Sequence, residues 1–350
     1  MKKLEFICSL SDNKNFGGET IKNDYILEYL NEKKIKVKVL DFEKYKKNKI
    51  LIFIKCLFSI ISPFSDKILI SKASKSAYKY LKLCYYFNIF NKEIYYLVIG
   101  GTFDKYLKSE FKIKYYKKIK KIYVESLKMR KNLEEMGLFQ SEILLNFKKF
   151  KLKYRKKQKS NSLRAVFFSR ISKEKGTDMI FKMIKKVNKI ENNINLDFYG
   201  PIEDWYEEEF FKEINRIKGL CYKGILDTKK EKTFDILSLY DFMLFPTCYF
   251  NEGIPGTIID AFISSLPIVA ARWKNFDEIL NSDFSFEFPM NDQEEFEKII
   301  FFIKKNPDTL LKKREKSFEE AKKYNIDFVL KKLVKEIVLE DYREGEKWKF

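Results

Sequence analysis

Short apolar runs rich in β-branched and aromatic residues alternate with longer amphipathic segments through most of this chain, and that alternation constrains the fold more than any other feature. In the first half the runs are LEFICSL (4–10), KVKVLDF (36–42), KILIS (67–71), IYYLVIG (94–100), KIYVES (121–126) and EILLNF (142–147). Segments of helical period fill the gaps at 19–32, 50–62, 73–86, 104–119 and 127–136, and Gly137 after LEEM suits a helix C-cap. Strands separated by helices are the signature of βαβ units, which pair as a parallel sheet.

The charge run KKFKLKYRKKQKSNS (148–162) has no apolar period and reads as a linker. The pattern then restarts with strand 164–170, helix 176–191, strand 196–200, helix 204–218, strand 221–226, helix 229–239, strand 241–246, helix 256–264 and strand 267–271. At 350 residues, and roughly 100 to 200 residues per domain, two domains are expected. The expected fold is α/β with two Rossmann-like domains. The first spans 1–150, a basic linker 151–162, and the second 163–335; a tail, 336–350, is read as packing back on the first.

The net charge of +20 is unevenly spread. Residues 1–150 carry 32 basic against 16 acidic side chains, residues 151–160 add six basic ones, and the remainder is close to neutral. The first half therefore faces something anionic, either nucleic acid or a phospholipid surface. Five scattered cysteines without a CxxC pair and no histidine anywhere exclude a disulfide framework, a Cys/His zinc site and a Ser/His/Asp triad. Acid or base work falls to carboxylates, Lys, Tyr or the substrate itself.

Neither apolar stretch near the start reads as a leader or a span. MKKLEFICSL is interrupted by Glu5 and reads as a first strand. ILIFIKCLFSIISPF (50–64) is shorter than the roughly 20 residues that cross a bilayer, and Lys55, Ser59 and Ser62 form a narrow polar stripe on it. Such a helix either packs under a sheet or lies in a membrane interface.

Four segments at strand ends share the side of a parallel sheet where ligands bind. In NFGGETIKN, Gly17 and Gly18 either make a plain tight turn or let backbone approach a phosphate or sugar at a helix N-terminus. In SRISKEKGT, Arg170 and Lys175 are either solvated charges or a clamp on a diphosphate. In NEGIPGTIID, Glu252 and Asp260 flank a glycine corner whose amides at Gly253, Ile254, Gly256 and Thr257 point to a sugar or phosphate, with Thr257 placed to cap a helix. Gly224, in YKGILD, marks another strand-end turn where a base can rest.

Taken together these residues resemble the retaining glycosyltransferases of family 4, of GT-B architecture, in which two Rossmann-like domains face a central cleft. SRISKEKGTDMIF is similar to that family's Arg and Lys clamp, and NEGIPGTIIDAFISSLPIVAAR to its E-x7-E motif and following strand. FGGETIKNDYILEYL, YYLVIGG and IYVESLKMRKNLEEMGL are similar to segments of members that build bacterial capsule and lipopolysaccharide. The resemblance implies a sugar transfer from a nucleotide diphosphate sugar to a glycan or lipid-linked acceptor, without metal or other cofactor. It gives Arg170 and Lys175 the diphosphate, Glu252 the donor sugar, Asp260 the ribose, and Gly17 and Gly18 the donor or acceptor. Against the family pattern, Asp260 replaces a longer glutamate, Pro255 lacks a backbone donor, and the histidine many members carry is missing.

The opposing reading is a basic nucleic-acid-binding protein without enzymatic activity. No nucleic-acid-binding motif is present, and the basic excess spares the half that holds the site motifs. The expected partners are therefore a nucleotide sugar, an acceptor and an anionic membrane met by the basic first domain, at the cytoplasmic face of the plasma membrane, with no nucleic acid. The oligomeric state is left open.

Overall fold

The computed structural model describes residues 4–11, 17–63, 65–108, 110–156, 162–190 and 194–339. The chain divides into two compact units, residues 1–148 with 325–350, and 149–324.

The first unit runs β1 Leu4–Cys8, α1 Gly18–Glu32, β2 Val37–Asp41, the turn α2 Phe42–Tyr45, α3 Lys49–Ile61, β3 Lys67–Ala73, α4 Ser74–Phe87 and β4 Glu93–Ile99. Short helices α5 Phe103–Tyr106 and α6 Glu110–Ile113, then β5 Lys121–Val124, α7 Leu127–Glu135 and β6 Ser141–Ile143 complete it. Its strands pair in parallel in the order β2-β1-β3-β4-β5-β6. The order reverses at β1, so right-handed crossovers send α1 to one face and α3, α4 and α7 to the other. The two cores reflect this, one joining Ile7 and Ile70 to Cys56, Tyr80 and Leu133, the other joining Phe6 and Leu69 to Tyr25 and Ile26.

The second unit contains β7 Leu163–Phe168, α8 Thr177–Ile190, β8 Ile194–Tyr199, α9 Glu207–Arg216, β9 Leu220–Tyr222, α10 Glu231–Leu237 and β10 Phe242–Phe245. It continues through α11 Gly256–Ile263, β11 Ile268–Arg272, β12 Ser285–Pro289, α12 Gln293–Lys305 and α13 Thr309–Ala321. Its parallel sheet has the order β12-β11-β10-β7-β8-β9. Two parallel six-stranded sheets with interleaved helices are the architecture expected.

Several local expectations change. The segment 104–119 is not one helix but the two short pieces α5 and α6, and Lys112 Nζ donates to the Tyr106 carbonyl exposed by the break, at 3.0 Å. Strand 221–226 stops at Tyr222 because Gly224 turns the chain with φ +86°. The sequence reading placed no elements beyond residue 271, where β12, α12 and α13 complete the second unit.

The domain boundaries shift too. Helix α14, Ile326–Val334, returns to the first unit, where Ile326, Val329, Leu330 and Leu333 join the core beside Leu4 and Phe6. Ile337 is buried in the same core, and Glu336 accepts a hydrogen bond from Tyr123 at 2.6 Å; residues 340–350 of the expected tail lie outside the described residues. Of the expected linker, 157–161 also lie outside them. The preceding stretch is anchored to the second unit, because Arg155 is buried, donating to Asp235 Oδ1 at 2.9 Å and to the Ile263 carbonyl at 2.9 Å and pairing with Glu231. A charge run thus hides one guanidinium that two carboxylates neutralise.

Candidate functional site

Within the second unit the carboxyl ends of β7, β8, β9 and β10 meet the start of α11. Glycine geometry draws them together. Gly200, just past β8, has φ +143°, and a Cβ there would run into the Ser169 carbonyl oxygen. Its amide donates to the Gly224 carbonyl at 3.0 Å, which ties the turn after β9 to the exit of β7. Gly176 has φ +80°, and its Cβ would collide with the Pro246 carbonyl oxygen, so the turn Lys173–Lys175 lies directly against the end of β10. The Cys248 amide fastens this contact by donating to the Glu174 carbonyl at 2.8 Å.

Lys175 and Glu252, 77 positions apart in sequence, are thereby placed in direct ion-paired contact, with side chains 18% and 15% exposed. Partial burial weakens solvent screening, so this pair presents one cation and one anion as a set. Tyr249 lies beside them, its ring centroid 6.0 Å from Lys175 Nζ. Glu252 is held through its backbone: Asn275 Nδ2 donates to its carbonyl at 2.8 Å, and Trp273 Nε1 donates to the Gly253 carbonyl at 3.1 Å.

Arg170 stands on the same loop as Lys175 but is exposed and turned toward Glu203, Nη1 to Oε1 at 3.3 Å. Glu203 also accepts from Trp205 Nε1 at 2.6 Å. The described pairing therefore joins Lys175 to Glu252 and Arg170 to Glu203, each basic residue on its own carboxylate.

One expectation at the glycine corner is corrected. Thr257 does not cap α11. Pro255 is the N-cap, with no side-chain cap, and the Thr257 hydroxyl donates to the carbonyl of Phe168, the last residue of β7. A hydroxyl at the second helical position points along the sheet edge, and this bond staples α11 to β7. The amides of Gly256 and Thr257 remain first-turn amides that no carbonyl of their own helix satisfies. Asp260 is 2% exposed, one turn into a helix whose buried residues run from Ile258 to Ile263. Ile254 is buried as well.

Gly17 and Gly18 occupy the corresponding corner of the first unit. Gly17 is the N-cap of α1, and its amide donates to Thr20 Oγ1 at 3.1 Å. A Cβ at either glycine would meet nothing within 4 Å among the described residues.

Sequence reasoning missed Gly200, Glu203, Trp273 and Asn275. Gly200 had a signal, a glycine straight after the apolar run LDFY; the others are recognisable only from what their side chains touch. Cys248 adjoins the site, but burial, and then the charge of Asp178, push its thiol up and away from thiolate chemistry. A depression of about 490 Å³ lined by Lys185, Asn188, Lys189 and Lys218 lies at the opposite, amino ends of the strands, away from the ligand side of a parallel sheet.

Residues 162–305 match the family model for glycosyl transferases group 1. No curated protein matches the chain. Among solved structures it is similar to sucrose-phosphate synthase from Thermosynechococcus elongatus, at 13% identity over 97% of this chain and 100% of that one, TM-score 0.75. Anabaena HepE, solved in complex with UDP, aligns at 12% identity over 98% and 100%, TM-score 0.73, and a Rickettsia africae glycosyltransferase at 14% over 97% and 99%, TM-score 0.72. At such identities the structural likeness speaks for the fold, and the domain match for the chemistry. The residues just described, from Arg170 to Asn275, all lie within the matched domain: the second unit carries a group 1 glycosyltransferase domain, and the chain has the GT-B fold.

Proposed function

We propose that the chain is a retaining, metal-independent glycosyltransferase of family 4 that moves a sugar from a nucleotide diphosphate sugar to a glycan or lipid-linked acceptor of a bacterial surface polysaccharide. The observation that carries this reading is the half-buried Lys175–Glu252 pair at the carboxyl ends of the strands in a group 1 domain. An ammonium and a carboxylate side by side suit a ligand with an anionic and a hydroxylated end.

In the proposed reaction the bond between the sugar C1 and the diphosphate oxygen breaks while the acceptor oxygen bonds to C1 on the same face. The acceptor proton passes to the departing phosphate, so no histidine or other base is required. Lys175 stabilises the leaving diphosphate, and Arg170 joins it by exchanging Glu203 for the phosphate. Glu252 holds the sugar hydroxyls, and the amides of Gly253, Ile254, Gly256 and Thr257 supply further donors. Gly224 supports the base. Gly17 and Gly18 offer open backbone to a sugar or phosphate in the first unit. Asp260, buried one turn into α11 from the glycine corner, holds the ribose.

HepE was solved with UDP and with UDP-glucose, which makes these the first ligands to try. A thermal-shift series across nucleotide diphosphate sugars tests the reading. A true donor at a hundred times its Kd stabilises the protein by about 2.7 kcal/mol. The Lys175→Ala variant loses most of that shift; no shift with any nucleotide sugar overturns the proposal. The excess of basic residues in 1–150 further supports docking at the anionic cytoplasmic face of the membrane, where a lipid-linked acceptor resides.

A further inference from the structure

Helix α3 is built inside out. Its polar Ser59 is buried, donating to the Cys56 carbonyl at 2.8 Å and lying 2.6 Å from Tyr80 Oη, and Cys56 and Ile60 are buried beside it. Ile50, Phe53, Ile54 and Phe58 are instead 74%, 50%, 42% and 63% exposed. Spacings of three and four place those four on one helical stripe, so the stripe facing water is the more apolar one. Among the described residues no helix is long and apolar enough to cross a membrane.

More apolar surface is exposed in a turn joined to the end of α3. Lys92, just before β4, donates to the Ser59 carbonyl at 2.6 Å and to Ser65 Oγ at 2.8 Å, tying the turn after α4 to the end of α3. That turn exposes Ile89 and Phe90. A contiguous exposed patch of large apolar side chains marks a binding surface rather than ordinary scatter.

Charge identifies the occupant. Residues 44–120 contain 18 lysines against four acidic residues. Lys75, Lys79 and Lys82 are exposed on α4, the helix packed beside α3 on the same face of the sheet. A second copy would bring like charges together, and a nucleic acid would leave the apolar stripe uncovered. An apolar stripe flanked by lysines fits a surface with hydrocarbon below and negative charge above.

We infer that α3 lies in the interface of an anionic bilayer, with Ile50, Phe53, Ile54 and Phe58 entering the acyl boundary and the lysines of α4 meeting phosphate headgroups. The inference rests on the membrane docking proposed above and names the element that performs it. Insertion adds apolar burial to electrostatic attraction, so removing part of the stripe weakens binding even where every lysine is kept.

The test is flotation with vesicles of equal parts phosphatidylglycerol and phosphatidylcholine, against phosphatidylcholine alone. The wild-type chain is compared with a Phe53→Ser, Phe58→Ser double variant. Wild type is expected to float with the anionic vesicles, and the variant to partition at least about tenfold less while keeping its melting temperature and its donor-induced thermal shift. Equal flotation of both proteins overturns insertion and leaves docking by charge. No flotation of wild type overturns insertion and docking together, while the donor-induced shift reports on glycosyl transfer independently. A concentration-dependent wild-type dimer that the double variant loses without vesicles assigns the stripe to a second copy and also overturns the inference.

Discussion

Both units begin with a strand, a glycine turn and a helix, yet the two corners are built oppositely. In the first unit a Cβ at Gly17 or Gly18 meets nothing among the described residues, and the Gly17 backbone is extended. In the second, Gly176 is left-handed and pressed onto the Pro246 carbonyl, and that contact seats Lys175 beside Glu252. One glycine turn leaves room, and the other removes it to bring two loops together. A glycine after a first strand is therefore no evidence of a ligand cradle by itself; what matters is what occupies the place of the missing Cβ.

The largest break in this comparison is expected from Gly176→Ala. A side chain there meets a backbone carbonyl and a positive φ at once, so the unfolding free energy should fall by more than about 3 kcal/mol in a urea titration. A loss within about 1 kcal/mol would mean that the contact with Pro246 yields easily.

Next comes Lys175→Ala, for which turnover should fall at least about a hundredfold, equivalent to about 2.7 kcal/mol, with the circular dichroism spectrum unchanged. Arg170→Ala should behave alike in turnover but cost less stability, because its pair with Glu203 is exposed. Near-wild-type turnover in both variants refutes the clamp.

A smaller effect is expected from Asn275→Ala, which removes the bond to the Glu252 carbonyl. It should cost about 1 kcal/mol of stability and weaken the donor-induced thermal shift more than the loss of an unrelated surface bond. Smallest is Gly18→Ala, where nothing among the described residues obstructs the new methyl group. Stability should change by only about 0.5 kcal/mol, and a clear loss of turnover would locate a ligand against that backbone.

The parallel architecture was legible because each strand is a run of apolar residues bounded by amphipathic segments, and that pattern survives translation into three dimensions. β12 was not, since SFEFP carries Glu287 and ends in Pro289 at the edge of its sheet, where a strand pairs on one side only. Periodicity found the polar stripe of α3 but not its direction, because a stripe has no sign until its neighbours are known. Tyr80 and Lys92 supply that sign by taking Ser59 inward.

In the site, Lys175, Glu252 and the glycine corner were recognisable as a set from residue type and strand-end position. The pairing was not. Nothing local tells Arg170 to choose Glu203, or Thr257 to reach Phe168 rather than cap its own helix. Arg155 is the same case in the basic run, since its burial depends on Glu231 and Asp235, about 80 positions away.

The two side chains leaving β11, Trp273 and Asn275, grip the carbonyls of Gly253 and Glu252. Those bonds do not involve the side chains of Tyr249 and Phe250, which are exposed. Under the proposed reading, in which Glu252 holds the donor sugar, changes at the exposed Tyr249 and Phe250 would alter the sugar's surroundings without dislodging that carboxylate. The brace thus separates the loop positions that can vary from the backbone that must stay, a division that would let one scaffold take different sugars under that reading.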